Sequence, residues 1–162
     1  MAVEQNIKIP YLTWLLLVAE LKKRGKGRQE SGAFLLGKTG ATKRRIETFV
    51  CYDDLDPNAL SSGVVMFHGS GFSALWEYCA KNSLQVLADV HTHPTSDVRQ
   101  SHIDKSHPMI PVPGHIGLIL PRYGNTSKYS LAGVGIHVFQ GQGYWKSFSH
   151  NAPGAPVELS LW

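Results

Sequence analysis

The stretch 84–93 constrains the fold more than any other part of the chain. Leu84, Val86, Ala88 and Val90 are apolar and alternate with Gln85, Asp89, His91 and His93, the period of two expected for a β-strand with one face in a core. Two imidazoles two residues apart then project from the same, non-core side at the end of that strand, placed to converge on one ion. Pro94 has no N–H with which to extend a ladder, so the chain leaves the sheet directly after the second histidine.

Around this strand the pattern predicts a mixture of elements. Tyr11, Trp14, Leu15, Val18 and Leu21 follow three-and-four spacing ahead of Gly25, which predicts a helix over 11–24. Stretches 32–37 and 45–52 predict a hairpin about Lys38-Thr39-Gly40-Ala41, with a loop over 53–62 and another short strand over 63–68. Phe72, Leu75, Trp76, Cys79 and Ala80 predict a second helix packing one face inward. Ser101 caps a short helix that Pro108 stops, and further strands are expected at 115–120, 131–139 and 143–148. Helices and strands mix without regular alternation, so the expected class is α/β of the α+β type, a mixed central sheet flanked by helices. A length of 162 residues suffices for one core. The reading is a single domain over 1–150 and a Pro-containing, loosely held tail over 151–162.

Composition narrows the functional classes. With 43% hydrophobic and 17% charged residues, the chain has the apolar content of a folded domain and not the profile of a disordered one. Cys51 and Cys79 show neither the paired spacing of a zinc knuckle nor the density of a disulfide scaffold, so both are expected to be buried thiols in a reducing, cytoplasmic setting. The apolar run 14–19 is too short to span a bilayer and lacks a small-residue cleavage site, so neither a membrane partner nor a signal peptide is expected. The net charge of +4 comes mainly from cations in 22–28 and 43–45. Aromatic residues do not alternate with them, and nucleic acid is not the expected partner.

The chemistry gathers about the histidines. A chain swinging back through Ser96, Asp97 and Arg99 brings Asp104 to His91 and His93 as a third ligand, with Asp89 or Asp97 as substitutes, and a catalytic metal wants three protein ligands and one open position. A water held there needs a base, and Glu30, at the entry to the strand 32–37, is the candidate; Glu47 is its nearest competitor. The plainer role for Glu30 is a surface carboxylate beside Arg28. Ser101 is placed to donate its hydroxyl to an oxyanion, although Ser101 and Asp104 by themselves also read as a capping box. His68, His102, His107, His115, His137 and His150 are expected to be packed or solvated side chains.

His91-Thr92-His93-Pro94, six residues, Ser101, two residues and Asp104, with Glu30 upstream in Glu-Ser-Gly-Ala-Phe-Leu-Leu-Gly, resembles the signature of the JAMM (JAB/MPN) metallopeptidases. Five functional positions, a proline and two spacings agree together. The resemblance implies an MPN/JAB, cytidine-deaminase-like architecture and one zinc ion per chain, held by His91, His93 and Asp104. It implies that Glu30 is the acid/base and Ser101 steadies the oxyanion. It also implies cleavage after the C-terminal glycine of a ubiquitin-like protein or its conjugate. Thr92 stands where serine is commoner. The stretches 53–70 and 121–129 are shorter than the insertions with which eukaryotic relatives clasp ubiquitin. The chain looks more like stand-alone bacterial members that accompany activating-like and conjugating-like enzymes in the same operon, including those of antiphage defence. A sulfur-carrier-protein peptidase, a non-catalytic MPN scaffold and, with a small share, a DNA-directed role are the alternatives.

Overall fold

The computed structural model describes residues 6–162. Six strands form one mixed sheet: β2 (Gly32–Lys38), β3 (Thr48–Cys51), β4 (Leu84–Thr92), β5 (Ile116–Leu120), β6 (Gly135–Gly141) and β7 (Tyr144–Phe148), in the order β3-β2-β4-β5-β6-β7. Only β4 and β5 run parallel; every other pairing in this sheet is antiparallel. The α+β class expected from the sequence is what the chain adopts.

Two apolar clusters cover the two faces of the sheet. On one, Trp14, Leu17, Val18 and Leu21 of α1 (Tyr11–Gly25) pack on Ala33, Leu35, Ala88, Val90, Ile116 and Leu118. On the other, Leu75 and Cys79 of α3 (Gly69–Asn82) pack with Phe34, Leu36 and Tyr52, the last opening the single helical turn α2 (Tyr52–Leu55). Each fully buried large apolar side chain contributes about 1.5–3 kcal/mol. Strand β2 is buried on both faces over six consecutive residues, which places β2 and its neighbour β4 in the middle of a helix–sheet–helix sandwich. Among the described residues no helix is long and apolar enough to cross a membrane.

Four expectations need correction. The alternation in β4 is broken by a β-bulge: Leu35 pairs Ala88 but Leu36 pairs Val86, leaving Leu87 as the extra residue. Leu84 and Val86 therefore face the α3 cluster while Ala88 and Val90 face the α1 cluster. The even-numbered residues do not share one face; the bulge re-aims everything after it. Residues 63–68 form no strand but an extended coil, whose Met66 N–H donates to the Ala59 carbonyl at 2.9 Å. The strand expected over 131–139 begins only at Gly135, after a turn in which Val134 N–H donates to Leu131. Finally, the segment 151–162 is not loosely held. Its Val157–Ser160 forms β8, paired in parallel with β1 (Ile7–Pro10) as a separate two-stranded sheet, and Val157 is 2% exposed.

Candidate metal centre

Both histidines come from the centre of the sheet. His91 lies in β4 opposite Gly32 of β2 and Ile119 of β5. His93 follows the last β4 residue, but its N–H still donates to the Leu120 carbonyl at 2.8 Å, so its backbone is held as firmly as a strand residue. Asp104 sits in the first turn of α4 (His102–Ser106). Ser101 and Asp104 form the capping box in full: Asp104 N–H donates to Ser101 Oγ at 3.1 Å and Ser101 N–H to Asp104 Oδ2 at 2.8 Å. The box and the ligand role coexist, because the box fixes the carboxylate's direction and leaves Oδ1 outside it.

The three side chains meet. His91 Nε2 lies 3.2 Å from His93 Nε2 and 3.3 Å from Asp104 Oδ1, and His93 Nε2 lies 3.2 Å from Asp104 Oδ2. Among the described residues this is the group of His, Cys, Asp and Glu side chains compact enough to hold a metal ion. His93 Nδ1 lies 2.9 Å from the Asp97 carbonyl oxygen. A carbonyl only accepts, so in the neutral ring Nδ1 carries the hydrogen and Nε2 turns a lone pair toward the cluster. In that tautomer the His93 lone pair faces the Asp104 carboxylate, an approach that a cation between them makes favourable. Tetrahedral nitrogen and oxygen ligands at about 2.0–2.1 Å from a small divalent ion stand about 3.3–3.4 Å apart, so the donor set fits such an ion.

The hydrogen bonds within the cluster also set its charge. Burial alone pushes the His93 imidazole down, yet the hydrogen bonds with Asp104 and the Asp97 carbonyl outweigh it and leave His93 above its ordinary value. Burial likewise pushes the Asp104 carboxyl up, but its bonds to His91 and His93 hold it well below the usual carboxylate range. The pocket is built to carry positive charge beside an ionised Asp104.

The remaining sequence candidates separate clearly. Glu30 lines a cleft of about 400 Å³ together with His93, Pro94, Asp97, Ser101 and Lys105, and its charge contributes to raising His93. Its Oε2 accepts from Val65 N–H at 3.3 Å. It is neither a ligand nor a loose surface carboxylate. Glu47 pairs with Arg45 at 2.9 Å, and Arg45 lies outside the cleft. Ser101 is exposed, and its Oγ accepts from Asp104 N–H, which leaves its own hydrogen free. Neither substitute ligand joins the cluster: both oxygens of Asp97 accept from Arg99, and Asp89 Oδ2 accepts from His115 Nε2 at 2.6 Å.

Sequence reasoning did not anticipate the supports. The loop carrying Asp97 is tied down at Val98, whose carbonyl accepts from His137 Nε2 at 2.9 Å, while His137 Nδ1 accepts from Ser147 Oγ at 2.7 Å. This anchoring needs Gly135, since a Cβ there would fall on the Val98 carbonyl oxygen and 2.9 Å from His137 Nε2. A glycine heading an apolar strand was the available signal.

No family model matches the chain. Its fold is similar to that of two solved structures. A protein from Desulfitobacterium hafniense, known from its solution structure, is 16% identical with a TM-score of 0.62, over 95% of this chain and 92% of that one. A protein from Salinibacter ruber, also a solution structure, is 14% identical with a TM-score of 0.56, over 93% of this chain and 95% of that one. The likeness is one of fold.

Proposed function

We propose that this protein is a zinc-dependent peptidase or isopeptidase of JAMM (MPN/JAB) type that cleaves after the C-terminal glycine of a ubiquitin-like protein. The observation that carries the reading is the convergence of His91 Nε2, His93 Nε2 and the two Asp104 oxygens, with neighbouring contacts of 3.2–3.3 Å, beside Glu30 and Ser101 in the adjoining cleft. Oxygen and nitrogen donors in this number, with the cleft on their open side, suit a catalytic zinc better than a structural one.

When bound, the ion would supply a Lewis acid that polarises the scissile carbonyl and acidifies water. The chain's own groups do the rest. Glu30 accepts a proton from the attacking water as the new C–O bond forms, then delivers it to the nitrogen of the leaving amine as the C–N bond breaks. Ser101 donates its free hydroxyl hydrogen to the carbonyl oxygen as negative charge develops there. The Asp97 carbonyl keeps His93 in one tautomer and one orientation throughout. A substrate entering extended, with glycine before the bond, lets Glu30 and the ligand cluster approach the backbone closely.

The setting of a ubiquitin-like conjugation system, antiphage defence included, is part of the proposal and rests on the motif. The test is metal content and cleavage together. Protein purified without added zinc is expected to carry one equivalent, lost in His91→Ala, and the zinc-loaded chain is expected to cleave Gly-Gly-linked fusions of a ubiquitin-like protein. A chain that takes up no metal after reconstitution would leave the scaffold reading in its place.

A further inference from the structure

A second groove, of about 450 Å³, adjoins the ligand cluster, and His91, Asp104 and Glu30 form part of its lining. Its floor is the sheet, and its walls are apolar: Phe67 and Met66 from the coil before α3, Ile103 from α4, Met109, and Trp145 from β7. At the floor stands Asp89, two residues before His91 on the same face of β4 and so about 6.6–6.8 Å along the strand from it. The mechanism does not use Asp89, and its side chain is 8% exposed.

Three observations set out what this carboxylate can do. His115 Nε2 holds Oδ2 at 2.6 Å, whereas Oδ1 has only the Tyr52 hydroxyl at 3.5 Å, so Oδ1 retains acceptor capacity. Gly117 is its cross-strand partner, and a Cβ at that position would lie 3.8 and 4.0 Å from the two oxygens. A methyl there would make only ordinary contact, whereas a larger side chain would stand over the carboxylate. No lysine or arginine lines the groove, and the charge of a divalent ion is already balanced by Asp104 and Glu30. Asp89 is the carboxylate of the groove that neither belongs to the ligand cluster nor serves the mechanism.

A groove with apolar walls and a carboxylate at its floor matches an aliphatic stem with a cationic head. We infer that this groove receives a lysine or arginine side chain of the leaving segment, and that Asp89, opened by Gly117, determines that specificity. The inference rests on the peptidase reading for the side it assigns. Glycine on the acyl side has no side chain to fill such a groove, so the occupant belongs to the segment that departs.

The test has a binding arm and a cleavage arm, both on the full zinc-loaded chain. In the first, n-butylguanidinium and n-pentanol are titrated while backbone amide resonances are followed by NMR. The guanidinium is expected to shift Asp89, Gly117 and Ile119 and to bind about tenfold more weakly to Asp89→Asn. Gly117→Val, which suits a strand and fills the floor, is expected to abolish the shifts, and its spectrum shows directly whether it folds. No shift at these residues, or equal binding to Asp89→Asn, overturns the inference. In the second arm, peptides with Gly-Gly before a varied residue are digested. Lysine or arginine there is expected to be preferred over norleucine by about tenfold or more, a ratio that collapses toward one in Asp89→Asn. Equal cleavage of lysine and norleucine peptides overturns the specificity and leaves the peptidase reading standing. If no peptide is cleaved, the peptidase reading fails and the titration decides the groove alone.

Discussion

His93 Nδ1 and the backbone carbonyl of Asp97 lie 2.9 Å apart, and that one contact decides which nitrogen of the ring faces His91 and Asp104. The acceptor is backbone, so it depends on the path of the loop. That path is fixed by the Asp97–Arg99 pairing and by Val98 on His137. Orientation of the second ligand is thus delegated to β6, two strands away.

Gly135→Ala tests that delegation. The added methyl meets the Val98 carbonyl oxygen and His137 Nε2, so the loop must lift and the Asp97 carbonyl moves away from His93. Zinc affinity is expected to fall about tenfold or more, as for loss of an orienting group, although position 135 touches no ligand. Competition with a chromogenic chelator measures it. Wild-type affinity in a folded Gly135→Ala chain would disprove the link between the loop and the ligand.

Glu30→Gln separates binding of the metal from its use. Glutamine keeps an acceptor for Val65 N–H, so the coil at 65–68 stays in place, but it takes no proton. Zinc content is expected to be unchanged while turnover of a glycine-linked fusion falls about 10²–10⁴-fold. A parallel loss of zinc would instead make Glu30 a ligand.

The His91–His93–Asp104 cluster was legible in the sequence because its determinants are local. Two histidines two apart, a proline and a Ser-x-x-Asp cap are short-range patterns, and they come together where their spacing placed them. The bulge at Leu87 was not legible: a count by twos carries no mark for an extra residue, and the pattern of apolar side chains is the same with or without it. Its consequence is large, since it turns Asp89 and His91 toward the α3 side and buries an aspartate that the simple alternation put on an open face. Residues 63–68 read as a strand because their centre is a run of apolar, strand-forming residues. In the fold Val65 N–H donates to the Glu30 carboxylate and Met66 N–H to the Ala59 carbonyl instead of to a ladder, and the side chains of Val65, Met66 and Phe67 line the second groove. The β1–β8 pair joins residues about 150 apart, beyond the reach of any windowed pattern.

That pair makes a stability prediction. Ile7 and Ile9 are fully buried, Val157 is 2% exposed, and Leu159 packs on the same cluster. Deleting 157–162 strips the ladder from β1 and uncovers both isoleucines, at an expected cost of about 2–4 kcal/mol. Deleting only Leu161 and Trp162, which are 75% and 78% exposed, is expected to change stability by about 0.5 kcal/mol or less. Urea midpoints of the two truncations distinguish a structural strand from a dispensable tail; equal midpoints would refute the distinction.

Cys51 supplies a pH dependence whose sign follows from burial. At 2% exposure, desolvation pushes its thiol up to about 12, helped by Asp53, Asp54 and Glu20 and opposed by Arg24. Below the ordinary thiol value of 9.0 the group is protonated in both folded and unfolded chains, and its contribution to stability is fully present. As pH rises from 9 toward 12 the unfolded chain releases the proton while the folded chain keeps it. The unfolded state then binds fewer protons, and stability falls with pH by up to about 1.4 kcal/mol per unit. Other groups titrate in this range, so the informative quantity is the difference between the wild type and Cys51→Ala. The mutant carries a constant cavity cost but is expected to lose less stability between pH 8 and pH 10. Native Cys51 is correspondingly expected to resist iodoacetamide at pH 8 and to react at once in urea. Parallel stability curves for the two chains, or rapid alkylation of the folded one, would contradict the raised thiol.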